Sequence, residues 1–405
     1  MHRPAVLSTL GWSRRAVLGR TGAVMAALGL GARIGRTSAQ DATPAAEPPP
    51  LPTPSANVTV FAEGLDNPRG LKFGPDGGLY VAEGGQGGTT ATEGQCEQVV
   101  PPVGPYTGGT NARISTLDGD GQRTTLVDGL PSTQTAPTLG SLVSGVADVA
   151  FVDGTLYYLL AAGGCSHGNP DVPNGVFRVS PDGTTELVAD LSAFVMTNPT
   201  KVVNPGDFEP DESAYAMIAH DGMLYVVHPN HGALEKIDPA TGTITRVIDF
   251  TETEAHLVPT AITVGPDGSF YVGNLTGFPA VEGAAKIYKL SPEGELTYHA
   301  EGLTTVTGVA FDDQGSLYVL ETSGPGQGEA PIVPGTGRVV KVTEEGGLEV
   351  VVTGLVFPTA MLIGDDGMLY VSNFGFGFPP GAGQVVRIDP ASAPADASPV
   401  ASPVA

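Results

Sequence analysis

Short segments of alternating apolar and polar residues, separated by turns rich in Gly and Asp, run through residues 57–390. Such alternation predicts β-strands with one buried face. One phrase recurs six times: an apolar strand, a turn with Gly three residues before a Tyr, and a second strand, as in Phe73-Gly-Pro-Asp-Gly-Gly-Leu-Tyr-Val81. Gly supplies the positive φ that a tight hairpin turn requires. The pattern therefore predicts six hairpins, with their tyrosines at Tyr80, Tyr157, Tyr225, Tyr271, Tyr318 and Tyr370.

Two further strands follow each hairpin. In the fifth repeat, for example, the pattern predicts a third strand over 338–343 and a fourth over 348–353. Four short antiparallel strands per repeat are typical of a propeller blade, so we predict an all-β, six-bladed β-propeller. The chain opens with a lone strand near 58–65 and ends on a third-type strand at 384–389. The N-terminal strand is therefore expected to complete the last blade and close the ring.

The two ends of the chain differ from the repeats. Residues 1–39 hold six Arg and no acidic residue, with the run Ser13-Arg14-Arg15 before a short apolar segment. This arrangement is typical of a twin-arginine signal peptide and predicts export to the periplasm, cell wall or medium. Residues 40–56 and 391–405 are rich in Pro, Ala and Ser and are predicted to be disordered. The propeller is expected to occupy 57–390.

Charge excludes several kinds of partner. The chain has 43 acidic and 19 basic residues, a net charge of −24. Such a chain repels phosphate groups, which argues against binding of nucleic acid or anionic lipid. We expect no integral membrane segment after processing, and a monomer. The sequence contains no Gly-x-Ser-x-Gly, His-Glu-x-x-His, Cys-x-x-Cys or Walker motif, so it identifies no catalytic residue.

Candidate binding residues lie on one face of the predicted propeller. The loops between second and third strands, and between blades, are long on this face, and long loops on a rigid scaffold commonly carry binding sites. The residue after each second strand is polar in five of six blades, and Arg69 and Asp148 near the starts of inner strands are expected to point the same way. Aromatic residues of these loops could line an apolar pocket. The full candidate set is Arg69, Glu83, Asp148, His228, Asn274, Phe278, Glu321, Asn373 and Phe376.

Three interpretations of this set stay open. Carboxylates and amides that converge on the axis would suit Ca²⁺, which makes Ca²⁺ the one cofactor the residues suggest. The same side chains could instead cap their strands by bonding to neighbouring backbone groups. They could also form a metal-free ligand site. The four oxygen donors of the Ca²⁺ hypothesis are Glu83, Asn274, Glu321 and Asn373.

The two cysteines, Cys96 and Cys165, fall in the predicted second-to-third-strand loops of adjacent blades. In an exported chain such a pair is expected to be oxidised. We therefore predict a disulfide between them.

Three segments resemble the ScyD/ScyE family of secreted, NHL-like propellers: 67–85, 258–279 with its Leu-Thr-Gly-Phe-Pro, and 357–361. The resemblance extends over about 57–390 and implies the same propeller fold, but it brings no established catalytic residues. The second repeat departs from the pattern, because its first turn is one residue shorter and Leu160 stands where the other blades have a polar residue.

Three functions remain, in this order. The first is an exported binding or scaffold protein that uses its long-loop face for a small molecule, a glycan or a protein. The second is a Ca²⁺-dependent, lactonase-like hydrolase or lyase, by analogy with six-bladed lactonases. The third, which the resemblance alone implies, is an accessory factor in the maturation of a scytonemin-like secondary metabolite.

Overall fold

The computed structural model describes residues 51–254, 256–277, 279–326 and 332–392, and its strands form six antiparallel sheets. The prediction of a six-bladed β-propeller is confirmed. From the inner strand outward, blade 1 comprises β2 (Pro68–Phe73), β3 (Leu79–Glu83), β5 (Thr107–Leu117) and β6 (Arg123–Gln134). Blade 2 comprises β8 (Val146–Val152), β9 (Thr155–Leu160), β10 (Gly175–Val179) and β11 (Thr185–Asp190). Blade 3 comprises β12 (Ala216–His220), β13 (Met223–His228), β14 (Ala233–Ile237) and β15 (Ile244–Asp249).

The other three blades repeat this order. Blade 4 comprises β16 (Pro259–Val264), β17 (Phe270–Asn274), β18 (Ala285–Leu290) and β19 (Leu296–Leu303). Blade 5 comprises β20 (Val306–Phe311), β21 (Leu317–Glu321), β22 (Gly337–Val342) and β23 (Leu348–Leu355). Blade 6 comprises β24 (Ala360–Ile363), β25 (Leu369–Asn373), β26 (Gly383–Ile388) and β1 (Val58–Leu65).

Blade 1 is larger than the sequence pattern predicts. Its third and fourth strands extend onto the long-loop face, where the short strands β4 (Thr90–Ala91) and β7 (Val143–Ser144) join the sheet. A short helix, α1 (Leu191–Thr197), follows β11, and Asp190 caps it by accepting a hydrogen bond from the amide of Ala193. None of the helices in the described part of the chain is long and apolar enough to cross a membrane.

In three of the six blades, the repeated Tyr contacts two interfaces at once. In three blades its hydroxyl donates to the Asp of its own turn, as in Tyr80 to Asp76, Tyr271 to Asp267 and Tyr370 to Asp366. In the same blades its ring packs edge-on against a Phe near the end of the next inner strand, as in Tyr80 on Phe151, Tyr271 on Phe311 and Tyr370 on Phe73, with ring centroids 4.8–5.2 Å apart. One side chain thus fixes a hairpin and its packing on the neighbouring blade.

The N-terminal strand closes the ring as predicted. β1 pairs antiparallel with β26, from Val58 opposite Ile388 to Leu65 opposite Gly383. The segment before it continues along β23 of blade 5, where the Ser55 amide donates to the Thr353 carbonyl at 3.1 Å. This segment belongs to the predicted linker. The predicted signal peptide, residues 40–50 and the tail from 393 lie outside the described residues and stay predictions.

The predicted disulfide is confirmed. It joins Cys96, in the loop between β4 and β5, to Cys165 after β9, with their Cα atoms 6.3 Å apart. The bond therefore links the long loops of blades 1 and 2 on the same face.

Closure through β1 can be tested with two substitutions on one strand. Leu65 is fully buried, in a cluster with Leu71 and Leu79 of blade 1, so Leu65→Ala should lower the free energy of unfolding by about 2–5 kcal/mol. Val60 is 52% exposed, and Val60→Ala should change it by less than about 0.5 kcal/mol. Urea denaturation followed by circular dichroism measures both. Equal effects would contradict the packing described for β1.

The disulfide makes a second prediction. Its cysteines are separated by 69 residues, and closing a loop of that length stabilises a fold by up to about 4 kcal/mol. The Cys96→Ser, Cys165→Ser double variant should therefore denature at a lower urea concentration. Thiol titration of the denatured, unreduced wild type should find no reactive thiol, and two reactive thiols would refute the bond.

Candidate ligand site at the propeller axis

The inner strands of the blades surround a recess that opens on the long-loop face. Its open space, counted together with the solvent at its mouth, is about 470 Å³. Small residues form much of its wall, and its largest polar side chains are Arg69, Asp148 and Tyr215, with Thr307 and Thr359 beside them. The predicted candidates Arg69 and Asp148 thus lie in one recess. Sequence reasoning missed Tyr215 and the two threonines.

The repeat itself contains the signal that locates Tyr215. Ten residues before the repeated Tyr, four blades have a residue no larger than Ala: Gly70, Ala261, Gly308 and Ala360. The turns of blades 2 and 3 are one residue shorter, so the residue paired in the same way is Asp148 in blade 2 and Ala216 in blade 3. Tyr215 lies one position earlier, where blade 1 has Arg69 and blades 4 to 6 have Thr260, Thr307 and Thr359. A Cβ atom on Gly70 would lie 1.8 Å from Asp148 Oδ1. The small residue of blade 1 therefore makes room for the carboxylate of blade 2.

Asp148 is held by backbone amides of two blades. Its Oδ1 accepts a hydrogen bond from the Val149 amide, and its Oδ2 accepts one from the Met217 amide, both at 2.8 Å. Burial against the inner strands raises the pKa of Asp148 to about 7, although these two hydrogen bonds act in the opposite direction. Asp148 is therefore a carboxyl group that changes its protonation near neutral pH.

Arg69 and Tyr215 form the cationic side of the recess. The Arg69 guanidinium donates to the Val143 carbonyl and lies beside the Tyr215 phenol. The Tyr215 hydroxyl donates to the Thr359 carbonyl at 3.0 Å. Burial raises the pKa of Tyr215 and the nearby Arg69 opposes this rise, so the phenol stays protonated and can donate. No carboxylate in the described ranges forms an ion pair with Arg69.

Threonines at the starts of inner strands join neighbouring blades around the axis. Each donates its hydroxyl to a carbonyl at the start of the next inner strand: Thr260 to Val306, Thr307 to Pro358 at 3.2 Å, and Thr359 to Pro68 at 2.7 Å. Three successive blade interfaces are thus bridged at the level of the recess. These hydroxyls hold the wall in place.

The five polar residues that end second strands do not meet on the axis. Each contacts its own blade or the segment that enters it. Glu83 accepts from the Asp66 amide at 2.6 Å, Glu321 from the Thr304 amide, and Asn373 from the Val356 amide at 2.7 Å. Asn274 donates to the Leu257 carbonyl at 2.9 Å, and His228 contacts Glu212.

Two of these residues are carboxylates that also pair with an Arg of their own blade. Arg113 donates from Nη2 to Glu83 at 2.7 Å, and Arg338 donates from Nε to Glu321. Burial raises the pKa of Glu321, against the effect of Arg338. These contacts are those of strand caps, the second of the three interpretations. A role for these residues in ligand binding stays a prediction.

The side chains present do not fit Ca²⁺. Calcium takes six to eight oxygen ligands, several of them carboxylates. The recess offers one carboxylate, Asp148, whose oxygens already accept two amides, and Arg69 lines the same opening. Across the described ranges, no three His, Cys, Asp or Glu side chains are arranged to hold a metal. The four proposed ligands, Glu83, Asn274, Glu321 and Asn373, are bonded within separate blades.

Aromatic side chains cluster beside the recess on blade 6. Phe376 stacks on Phe357 with ring centroids 4.4 Å apart, and Phe374 meets Phe378 edge-on at 4.8 Å. Phe376 is half-buried, so part of its ring is available to a ligand. Phe278 lies outside the described residues.

The comparisons with known proteins agree with this fold. A model of the SMP-30/gluconolactonase/LRE-like region family matches residues 171–393, more than half of the chain. The chain belongs to this family. The match begins within blade 2, so Tyr215 lies inside the matched region of this family member, whereas Arg69 and Asp148 precede it. No curated protein sequence matches the chain.

Two solved structures illustrate how far the likeness extends. A gluconolactonase from Xanthomonas campestris is 12% identical, with 82% of this chain and 89% of that chain covered and a TM-score of 0.50. A protein of unknown function from Bacteroides thetaiotaomicron is 11% identical, with 83% and 76% covered and a TM-score of 0.52. At these identities the likeness concerns the fold alone.

The raised pKa of Asp148 makes stability depend on pH. The folded chain keeps the proton up to about pH 7, whereas the unfolded chain releases it near the ordinary pKa of an aspartate, 3.8. Folding therefore takes up a proton in this window, and the contribution of Asp148 to stability decreases as pH rises from about 4 to about 7. Asp148→Asn should remove this dependence, so the thermal midpoint of the wild type should fall relative to the variant across the window.

Asp221→Asn provides the control, because that side chain is 85% exposed. Differential scanning fluorimetry at a series of pH values measures all three proteins. Parallel curves for wild type and Asp148→Asn would contradict the burial of an ionisable carboxyl group in the recess.

Proposed function

We propose that this protein binds a small molecule that carries a carboxylate in the axial recess, as an exported member of its family that resembles ScyD/ScyE. The observation that carries the proposal is Arg69, a cation in the wall of a recess with no ion-pair partner among the described residues. Arg offers five donors in a planar fork that suits a carboxylate. The carboxylate of the ligand would form the ion pair with Arg69 that no carboxylate among the described residues forms.

The surroundings of Arg69 support a small ligand with more than one polar group. The Tyr215 hydroxyl lies beside the guanidinium, and Asp148 adds a group that donates when protonated and accepts when ionised. Because ionised Asp148 would repel the carboxylate of the ligand, binding of the ligand should weaken as pH rises through about 7. The long loops around the opening, tied by the disulfide, would enclose the rest of the ligand. A glycan or a protein partner would use these loops instead.

Hydrolysis of a lactone is the second candidate, and family membership favours it. In a metal-free reaction, Asp148 near its pKa of about 7 could accept a proton from the water that attacks the lactone carbonyl, while Tyr215 and Arg69 donate to the carbonyl oxygen. Asp148 would then return this proton to the ring oxygen as the bond between that oxygen and the carbonyl carbon breaks. The Ca²⁺-dependent form of this hypothesis has less support, because the donors present do not fit the ion.

The aromatic cluster favours a third candidate. A ligand with aromatic rings could stack on Phe376 while its polar end reaches the recess beside Thr359. This chemistry would agree with an accessory role in the maturation of an aromatic secondary metabolite, the role that resemblance to ScyD/ScyE implies. Export by the predicted signal peptide would then bring the protein to a metabolite outside the cytoplasm.

Removal of the Arg69 charge tests the binding proposal. Saturation-transfer NMR with acetate, gluconate and benzoate should detect binding of at least one of these carboxylates to the wild type. Arg69→Gln should weaken that binding at least about tenfold, because a hydrogen bond to a charged group contributes roughly 1.5–3 kcal/mol. Arg178→Gln is the matched control, since Arg178 pairs with Glu186 on the exposed outer part of blade 2.

Equal binding by Arg69→Gln and wild type would contradict the proposal. A lactone assay on the same proteins separates the candidates. Turnover of glucono-δ-lactone that Asp148→Asn abolishes would favour the hydrolase, and turnover that requires Ca²⁺ and stops with chelator would restore the metal-dependent hypothesis.

A further inference from the structure

Blade 3 contains a buried cluster of charged groups that the recess does not use directly. Glu212, His228 and Glu235 are all fully buried. His228 Nδ1 lies 2.7 Å from Glu212 Oε1, and Arg246 donates from Nε and Nη2 to Glu235 Oε1 at 3.0 and 2.9 Å. Three of the four groups are shielded from water, so their charges depend on one another.

This cluster leaves three buried polar atoms without a partner among the described residues. They are Glu212 Oε2, His228 Nε2 and Glu235 Oε2. An unpaired buried polar atom is costly, and more so when the group is charged. A proton on His228 lowers this cost, because one imidazolium attracts both buried carboxylates, whereas a neutral imidazole leaves them with Arg246 alone.

Blade 3 also differs from its neighbours in the contact that holds its entering segment, the residues from Glu212 that lead into β12. In blades 1, 4, 5 and 6, the residue that ends the second strand bonds to a backbone group 17 residues earlier. In blade 3, His228 instead contacts a side chain, that of Glu212, whose backbone has a left-handed φ of 68°. A contact between two ionisable side chains thus replaces a contact between one side chain and the backbone.

The segment held in this way forms part of the recess wall. Ser213, Ala214 and Tyr215 follow Glu212 directly, and all three line the recess. The Tyr215 amide donates to the carbonyl of Val227, the residue before His228. A shift of the Glu212–His228 contact would therefore reach the phenol that stands beside Arg69.

We propose that His228 and Glu212 are positioning residues whose proton-dependent contact sets the place of Tyr215 in the recess. Its consequence for ligand affinity rests on the proposed function, but the coupling of His228 to Tyr215 does not. The charged and titratable groups that face His228 are Glu212 on the entering segment, Glu235 on β14, Arg246 on β15 and His231 on the adjoining loop, and Glu209 contacts His231 in turn.

The direction of the effect follows from these neighbours. Burial disfavours the imidazolium, but the charge and hydrogen bond of Glu212 outweigh it, and the pKa of His228 is raised above its usual value. The contact is therefore strongest at low pH and loosens as pH rises through that raised pKa. Burial, together with the charge of His228, lowers the pKa of nearby His231, so His231 is expected to be neutral where His228 is still charged.

NMR of the ligand-free protein tests the coupling. Ring-labelled tyrosine gives a Tyr215 signal, identified by its loss in Tyr215→Phe, and labelled imidazole nitrogens give the titration of His228. We expect the Tyr215 signal to shift with the same midpoint as His228, and this transition to disappear in His228→Gln. His220→Gln is the matched control, because His220 lies on β12, close to Tyr215 in sequence, and has a 30% exposed side chain.

Asp148 also neighbours Tyr215, so the measurements are repeated in Asp148→Asn. A Tyr215 transition that is lost in Asp148→Asn but kept in His228→Gln would overturn the proposal, and so would a Tyr215 signal that does not titrate. If His228→Gln fails to fold, Glu212→Gln replaces it, and the agreement of midpoints in the wild type still decides. Because no ligand is present, failure to bind carboxylates would refute the proposed function without affecting this result.

Discussion

The pairing of β1 with β26 is the contact on which the rest of the structure depends. Each inner strand packs against the next blade, so the six inner strands can surround one axis only if the last blade has all four of its strands. β1 supplies the missing strand, and three residues after it ends the chain begins β2 and reaches Arg69. The same junction is bridged at the axis, where Thr359 of blade 6 donates to the Pro68 carbonyl of blade 1. The recess therefore has its complete wall only when the ring is closed.

The recess lies where the inner strands of some blades depart from the residue types of the repeat. Six equivalent inner positions with small residues would leave a narrow apolar channel. Blade 2 replaces the small residue by Asp148, and one position earlier, where blades 4 to 6 have Thr, blade 1 has Arg69 and blade 3 has Tyr215. Gly70 has to stay small for Asp148 to fit. Polar chemistry is thus confined to three successive blades, while the threonines of the other blades bind each other's backbone.

The sequence predicts the propeller well because its information is local and repeated. A turn Gly, a turn Asp and a Tyr at fixed spacing define each hairpin, and the number of hairpins defines the number of blades. Arg69 and Asp148 could be placed near the axis from their positions in the inner strands. Tyr215 could have been found by aligning the inner strands with the shorter turn of blade 3 taken into account, because it then takes the position of Arg69.

The residues at the ends of the second strands show that the direction of a side chain could not be predicted from the repeat. Equivalent positions in Glu83 and Glu321 suggested that these side chains would converge on the axis. At the end of a second strand, however, the nearest unpaired backbone groups belong to the segment that enters the same blade. A carboxylate there satisfies an amide 17 residues earlier and pairs with an Arg of the third strand. Spacing gives the position of a side chain in the repeat, but competing hydrogen-bond partners decide where it points.

The distribution of buried charge separates the two kinds of site. Glu83, Glu321 and Glu235 each have an Arg of their own blade, and such pairs offset the cost of burying their charges. Arg69 and Asp148 have no ion-pair partner among the described residues, although both lie in the wall of the recess. A fold under selection for stability alone would gain by replacing Asp148 with the small residue, and Arg69 with the threonine, of the other blades. Their presence at the axis, at a cost that their hydrogen bonds to the backbone offset only in part, is the strongest physical argument that the recess binds something.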